Sequence, residues 1–207
     1  MKNQSIKEEV SAYYTEKIQK FGETPEGVDW NGSDGQIKRF IQISKLIDEE
    51  EHFSVNDLGC GFGSYYEYLN SKYQSFDYQG IDVSSSMINS AVKRNIGEPN
   101  VSFVVSDKPE RVADYSVASG IFNVKQERSD DEWWEYIKTT LRLLDKYSVK
   151  GFSFNCLTSF SDKKLMKGYL YYANGMELFE FCKVNFSNNV ALLHDYDLYE
   201  FTIIVRK

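Results

Sequence analysis

The chain has 207 residues, a formal net charge of −7 and a pI near 5.0. This length is typical of one domain with a sizeable core, and the acidic balance disfavours nucleic acid and anionic membranes as partners. The first ten residues contain no apolar signal core, no stretch approaches about 18 apolar residues, and the three cysteines are widely spaced. We therefore expect a cytoplasmic protein with reduced thiols and no obvious zinc site.

Two helices are predicted ahead of the first strand. Ser5 and Glu8 have capping-box spacing, and apolar residues recur at helical period as far as Phe21. A loop containing Pro and Gly follows. A second helix is then predicted, with Ser33 as its N-cap and a broad apolar face. No linker-like composition separates these helices from the rest of the chain, so we expect them to cover it.

A glycine-rich stretch at residues 55–65, VNDLGCGFGSY, is the strongest local signal. Val55 and Leu58 suit a short buried strand, and Gly59, Gly61 and Gly63 follow it. Glycines at this density allow a sharp turn and a close approach of a ligand to the backbone. A helix is predicted to begin at residue 64, and the free N–H groups of a helix N-terminus attract anions. This strand, turn and helix predict a nucleotide-type site at the carboxyl edge of a parallel sheet.

The next predicted strand, residues 78–82, ends in an acid, Asp82. The separation from Gly63 is 82 − 63 = 19 residues, which is the distance at which an acid on the second strand reaches ribose hydroxyls. The third glycine comes one residue too early for the dinucleotide fingerprint. This spacing disfavours a nicotinamide dinucleotide as the ligand.

Strands and helices alternate along the remaining chain. Strands are predicted at residues 101–105, 114–120, 151–157, 190–193 and 198–205, and helices at 87–95, 129–147 and 174–183. The helix at 87–95 is predicted to turn Met87, Ile88, Ala91 and Val92 inward. Alternation indicates an α/β fold with a parallel sheet, and the short turn at 194–197 indicates that the last two strands form an antiparallel hairpin.

The glycine loop and Asp82 together resemble class I S-adenosylmethionine (SAM)-dependent methyltransferases. The resemblance implies a Rossmann-like, seven-stranded, mostly parallel sheet with an antiparallel last strand and helices on both faces. It implies S-adenosyl-L-methionine as cofactor and S-adenosyl-L-homocysteine (SAH) as product. We expect one domain over residues 1–207, with a helical cover at 1–50 and the Rossmann-like core at 51–207.

The resemblance also assigns cofactor contacts to positions along the strand ends. Asp82 is expected to accept the ribose hydroxyls, and the three loop glycines to let the methionine part approach the backbone. Asp57 would fix the loop or meet the ammonium group. The other expected contacts are Ser106 and Asp107 for adenine, Ser119 and Gly120 for the ammonium group, and Cys60, Val83 and Met87 beside them. Cys60 is expected to be a small buried filler without a redox role.

A lid over the cofactor is the second expectation that the resemblance brings. Trp30, Gln36 and Arg39 would form it, with Arg39 pairing bidentately with the cofactor's carboxylate. The alternative is that these residues form a solvated helix face on which Trp30 is a packing residue.

The acceptor side is less defined. Phe122 and Asn123 follow the fourth strand at the mouth where acceptors enter in this family, and we expect Tyr171, Tyr172 and Tyr196 to contribute. His194 could take a proton from an acceptor hydroxyl near neutral pH; the alternative is a structural histidine at a strand end. Ser-Gly-Ile-Phe stands where many amino-directed nucleic-acid methyltransferases have N/D-P-P-Y/F, which disfavours that subclass.

These features predict a methyltransferase acting on a small polar metabolite, most readily at oxygen, with no nucleic-acid or membrane partner. One alternative is a SAM-binding partner protein without catalytic activity. An NAD(P)-dependent oxidoreductase is disfavoured by the glycine spacing. No convincing pair of aspartates lies near the ends of the fourth and fifth strands, so no metal is expected.

Overall fold

The computed structural model describes residues 5–24, 32–48 and 51–207. These residues form seven strands in one sheet. In chain order the strands are Phe53–Leu58 (β1), Phe76–Asp82 (β2), Val101–Val105 (β3), Ala113–Ala118 (β4), Ser148–Leu157 (β5), Asn189–Leu193 (β6) and Glu200–Arg206 (β7). The helices are Ile6–Phe21 (α1), Ser33–Ser44 (α2), Ser64–Asn70 (α3), Ser85–Arg94 (α4), Asp130–Lys146 (α5) and Gly175–Asn185 (α6), with a 3₁₀ turn at Lys163–Leu165.

The strand order in the sheet is β3-β2-β1-β4-β5-β7-β6. β1 pairs in parallel with both β2 and β4, whereas β7 is antiparallel to its neighbours β5 and β6. The predicted seven-stranded sheet with one reversed strand is therefore confirmed, as is the closing hairpin. Because β1 to β4 run in the same direction, their carboxyl ends meet at one edge of the sheet, where a ligand site is expected.

Alternation along the strands builds a core on each face of the sheet. Val55 and Tyr115 point into one core, which includes buried residues of α2 and α3. Leu58 and Ala118 point into the other core, which includes buried residues of α5 and α6. Helices thus cover both faces, as expected for a largely parallel sheet.

The sequence signals for helix starts are mostly right. The predicted capping boxes at Ser5 and Ser129 are both formed, and Ser84 caps α4. The predicted helix α2 is formed, but its predicted N-cap is wrong, because the helix already includes Ser33 and its N-cap is Gly32, which has no side chain to accept a hydrogen bond. The inward placement of Val92 is also wrong, because this side chain is 47% exposed.

None of the described helices has the length and apolar character needed to cross a membrane.

Candidate active site

The glycine loop turns back on β2 immediately after β1 ends. The backbone N–H groups of Gly59 and Cys60 both donate to the carbonyl of Ile81, at 2.7 and 3.1 Å. Gly59, Gly61 and Gly63 have φ values of 79°, 55° and 87°, which an L side chain rarely adopts. A Cβ at Gly59 would lie 2.1 Å from Cγ2 of Ile121. This position therefore requires glycine, both for its conformation and for the close approach of the loop to the segment after β4.

Asp82 fixes the glycine loop to the start of α4. Its Oδ2 accepts the N–H of Gly61 at 3.0 Å, and its Oδ1 accepts the N–H of Ser84 at 2.8 Å. The residue is half-buried because one side of it faces a cavity. Burial raises the pKa of Asp82 to about 6, and the backbone hydrogen bonds oppose part of this rise. Each oxygen keeps lone-pair capacity for a further donor.

Asp57, on β1, is a buried acid that also reaches the cavity. It is 2% exposed, and its Oδ2 accepts the hydroxyl of Tyr78 at 2.5 Å. Burial raises the pKa of Asp57 to about 7; the hydrogen bond from Tyr78 opposes the shift, and the nearby Asp82 adds to it. Among the described residues, no Lys, Arg or His forms an ion pair with either acid. Two uncompensated carboxylates therefore lie on adjacent strands at the carboxyl edge.

A cavity of about 410 Å³ opens at this edge. Most of the positions predicted to contact a cofactor line it: Asp57, Gly59, Cys60, Gly61, Asp82, Val83, Met87, Ser106, Asp107, Ser119 and Gly120. Side-chain contacts hold the last of these segments in place, because Asn155 Oδ1 accepts the N–H of Gly120 at 2.7 Å and Asn155 Nδ2 donates to Ser119 Oγ at 3.1 Å. Gly63 lies behind the lining as the N-cap of α3.

Helix α1 covers the cavity with one face. Lys7, Val10 and Tyr14, at positions i, i+3 and i+7, all line it. Hydrogen bonds on the adjoining face attach the helix to the end of β2, where Ser11 Oγ donates to the carbonyl of Val83 at 3.1 Å. An ion pair between Lys7 and Asp107 attaches its first turn to the segment after β3.

Helices α2 and α5 complete the wall. Gln36, one of the three predicted lid residues, and Phe40 contribute from α2. Sequence reasoning missed the contribution of α5, which supplies Tyr136, Thr139, Thr140 and Leu143. Their spacing of three and four residues places them on one stripe, and two threonines within an otherwise apolar stripe were the available signal.

The other two predicted lid residues are Arg39 and Trp30. Arg39 does not line the cavity; its guanidinium forms a bidentate ion pair with Glu200, with both N···O distances at 2.7 Å. The structure thus gives this side chain a different partner from the predicted cofactor carboxylate. Trp30 lies outside the described residues.

The predicted acceptor residues lie outside the described lining of the cavity. Phe122 is fully buried in the core, and Asn123 accepts the N–H of Leu157 at 3.0 Å. Tyr171 is packed against the core, the hydroxyl of Tyr172 accepts the N–H of Lys167 at 2.9 Å, and that of Tyr196 lies 3.1 Å from Thr202 Oγ1.

His194 follows β6 and is exposed. Its ring lies 6.3 Å from that of Phe160 and 6.4 Å from that of Phe201, measured between centroids. It is not part of the described cavity wall, so its position lends no support to the predicted role in proton transfer. Within the described ranges, no group of three or more His, Cys, Asp or Glu side chains is arranged to hold a metal ion.

Solved structures with this architecture include several methyltransferases. Magnesium protoporphyrin IX methyltransferase from Synechocystis PCC 6803, with bound SAH, matches with a TM-score of 0.68 over 98% of each chain, at 13% identity. The N-methyltransferase NodS from Bradyrhizobium japonicum WM9, in complex with SAH, matches with a TM-score of 0.67 over 96% of this chain and 98% of its own, at 14% identity. At such identities these likenesses establish the fold alone.

Sequence comparison is more specific. Residues 55–146, which include the glycine loop and Asp82, match the family model described as "Methyltransferase domain". A protein of Mycobacterium tuberculosis (strain ATCC 25618 / H37Rv), named "Putative methyltransferase Rv1506c", is 50% identical over 163 residues, which are 79% of this chain and 98% of that protein. With the fold and the strand-end site described above, this relationship shows that the chain belongs to the SAM-dependent methyltransferase family.

Proposed function

We propose that the protein transfers a methyl group from SAM to an oxygen atom of a small polar metabolite. The observation that carries the proposal is the pair of acids, Asp57 and Asp82, on the cavity wall without a cationic partner among the described residues. Buried carboxylates without a cationic partner are costly even when they accept hydrogen bonds, and such groups are typical of ligand sites. SAM carries an ammonium group, a sulfonium and a ribose diol, which are the groups that would satisfy these acids.

The residues present fit this cofactor. Asp82 is held by two backbone N–H groups and retains the capacity to accept two hydroxyls. Asp57 would face the ammonium group, and the bare backbone at Gly59 and Gly61 leaves room beside it. Ser106 and Asp107 line the cavity next to β2 and offer acceptors for an exocyclic amine.

The coverage of the cavity favours a small acceptor. Helices α1 and α2 both place side chains on the wall, and the whole space is about 410 Å³. The net charge of −7 also opposes binding of a polyanion. When bound, SAM supplies an electrophilic methyl group, and in-line transfer depends chiefly on holding donor and acceptor in contact. The described lining contains no histidine, so we assign the rate enhancement to positioning.

Calorimetric titration with SAH, NAD(H) and NADP(H) tests the cofactor. We expect micromolar binding of SAH alone. The variant Asp82→Asn should lose most of this affinity, and Asp77→Asn, on the same strand but with a side chain that is 44% exposed, should keep it. Binding of a nicotinamide dinucleotide without SAH would overturn the proposal.

Methyl-labelled SAM tests the acceptor. The protein is incubated with panels of sugars, hydroxy acids, small amines, thiols and nucleic acids, and the label is traced. Label on a hydroxyl or carboxyl oxygen supports the proposal. Label on nitrogen or sulfur overturns the choice of oxygen, and label on nucleic acid overturns the small acceptor. SAH binding without labelling of any panel would favour a partner protein without catalytic activity.

A further inference from the structure

A buried ion pair attaches the middle of α2 to the far half of the sheet. Arg39 donates from Nε and Nη2 to the two carboxylate oxygens of Glu200, each at 2.7 Å. The side chains are 11% and 2% exposed. Glu200 begins β7. Because β7 is antiparallel to β5, its start lies at the same edge of the sheet as the cavity.

A buried ion pair adds little net stability, but it fixes the relative position of the two segments that it joins. Removing two charges from water costs much of what their attraction returns, so apolar replacements of a buried pair are often neutral. A bidentate guanidinium–carboxylate contact, in contrast, fixes both the distance and the orientation of its partners. The pair is therefore better suited to placing α2 than to stabilising the fold.

The pair lies beside the two residues that α2 contributes to the cavity. Gln36 and Phe40 line it, and Arg39 is three residues after the first and adjacent to the second. A Cβ at Gly35 would lie 3.0 Å from Nη1 of Arg39, so glycine leaves room for the guanidinium. The orientation of this turn determines whether Gln36 and Phe40 face the cavity.

The two ends of α2 are attached differently. Toward its end, Ile43 and the following Leu46 are fully buried, and Ser153 Oγ donates to the carbonyl of Ile43 at 2.9 Å. Toward its start, Ile37 is 44% exposed, and the N-cap residue, Gly32, makes no side-chain hydrogen bond to the helix. The apolar anchors, which include Phe40 at 3% exposure, thus act from the middle of the helix onward, and the ion pair acts on the middle turn, residues 36–40, which reaches the cavity.

We propose that Arg39 and Glu200 are positioning residues, whose ion pair orients the middle turn of α2, residues 36–40, so that Gln36 and Phe40 close one wall of the cavity. Through that wall the pair sets the affinity for cofactor and the space left for the acceptor. This inference rests on the proposed function, because it takes the cavity to be the cofactor and acceptor site. Neither Arg39 nor Glu200 needs to touch the ligand.

The test measures SAH affinity by calorimetry and melting temperature in parallel. Arg39→Lys keeps the charge but cannot make the bidentate contact. The double variant Arg39→Met with Glu200→Met removes both charges while keeping similar side-chain length. Lys38→Met is the matched control, because Lys38 lies on the same helix and forms only an exposed pair, with Asp197, at 3.7 Å. The two Arg39 variants are also made in a Phe40→Ala background, so that coupling to the wall is measured.

We expect Arg39→Lys and the double methionine variant each to weaken SAH binding about tenfold, with the double variant keeping its melting temperature. In the Phe40→Ala background the same changes should alter affinity less than twofold, and Lys38→Met should have no effect. A merely structural pair would instead lower the melting temperature equally in both backgrounds and leave SAH affinity unchanged; that result overturns the inference alone. A wild-type protein that binds no SAH overturns the proposed function and the inference together.

Discussion

The cavity has two walls of different construction. The strand-end wall consists of residues at or just after the ends of β1, β2 and β4: Asp57, Gly59, Gly61, Asp82 and Gly120. The helix wall consists of side chains from α1, α2 and α5: Lys7, Val10, Tyr14, Gln36, Phe40, Tyr136, Thr139, Thr140 and Leu143. Glycine conformations and hydrogen bonds from backbone N–H groups, including that of Gly120 to Asn155, hold the first wall, whereas the helices of the second wall are attached to distant segments mainly through side chains such as Lys7 and Arg39. The strand-end wall therefore suits the invariable cofactor, and the helix wall suits selection of the acceptor.

The largest expected effect is on the strand-end wall. Asp82→Ala removes a charged acceptor of two hydroxyls and releases the N–H groups of Gly61 and Ser84. Hydrogen bonds to charged groups contribute about 1.5–3 kcal/mol each, so SAH affinity should fall about 100-fold or more. Calorimetry with Asp77→Asn as control measures this fall. An unchanged affinity would show that the two walls have been assigned to the wrong ligands.

Gly59→Ala should destabilise the protein by about 2–4 kcal/mol, because it combines a positive φ with a Cβ 2.1 Å from Ile121 Cγ2. Gly97→Ala is the matched control, since that glycine has φ +91° but no atom within 4 Å of its Cβ position. Denaturant titration should give about 1 kcal/mol for the control, and Ile121→Ala should rescue part of the loss at Gly59. Equal losses at both glycines would leave only backbone strain as the cause.

Asp57 should make SAH binding depend on pH. Its pKa is about 7 in the free protein, so protons compete with the ammonium group below that pH. Affinity should therefore rise at least about tenfold from pH 6 to pH 8, and Asp57→Asn should reduce the change to about the twofold that Asp82, with a pKa of about 6, contributes. If the SAH affinity of the wild type does not change with pH, Asp57 does not contact the ammonium group of the cofactor.

The same group has a predictable effect on folding. Burial raises the folded pKa of Asp57 from the ordinary aspartate value of 3.8 to about 7, so the folded state binds more protons than the unfolded state between these values. The contribution of Asp57 to the free energy of unfolding therefore falls as pH rises from about 4 to 7. At pH 8 Asp57→Asn should be more stable than the wild type, by as much as about 4 kcal/mol. Denaturant titration of both proteins at about pH 4 and at pH 8 measures this difference. A loss of stability at pH 8 would contradict the sign.

The smallest expected effect is at His194. The residue is exposed and outside the described cavity wall, so His194→Ala should change SAH affinity and methyl-transfer turnover less than twofold. Turnover is measured with the acceptor that the labelling panel identifies. A tenfold fall in turnover at unchanged affinity would restore a catalytic role and extend the active site beyond the helix wall.

The strand-end wall was accessible from the sequence because its signals are local. Three glycines within five residues and an acid at the end of the next strand determine a turn and a carboxylate whatever the rest of the chain does. The capping boxes at Ser5 and Ser129 succeeded for the same reason, since both partners lie within one helical turn. At the start of α2 the local signal was misleading. Ser33 was the predicted N-cap, but the preceding residue, Gly32, is the N-cap in the structure.

The helix wall could not be derived in this way. The sequence shows that Arg39 is charged and lies on a predicted helix. It does not show that its partner is Glu200, because the two residues are 161 positions apart. The cavity-facing stripe of α5 is likewise indistinguishable from an ordinary half-buried stripe until the partner of that face is known. His194 was assigned from its chemistry and its place at a strand end, whereas exposure depends on the surrounding loops.

The pairing of Arg39 with Glu200 also bears on the order in which the protein matures during synthesis. β2, β3 and β4 can each pair as soon as they leave the ribosome, since each finds a neighbour among earlier strands. β6 has no partner until β7 is made and inserts between it and β5. The ion pair of Arg39 must wait for the same event, because β7 begins with Glu200. A nascent chain can therefore assemble its cofactor edge early, whereas the ion pair that we propose to orient α2 forms only once β7 is in place.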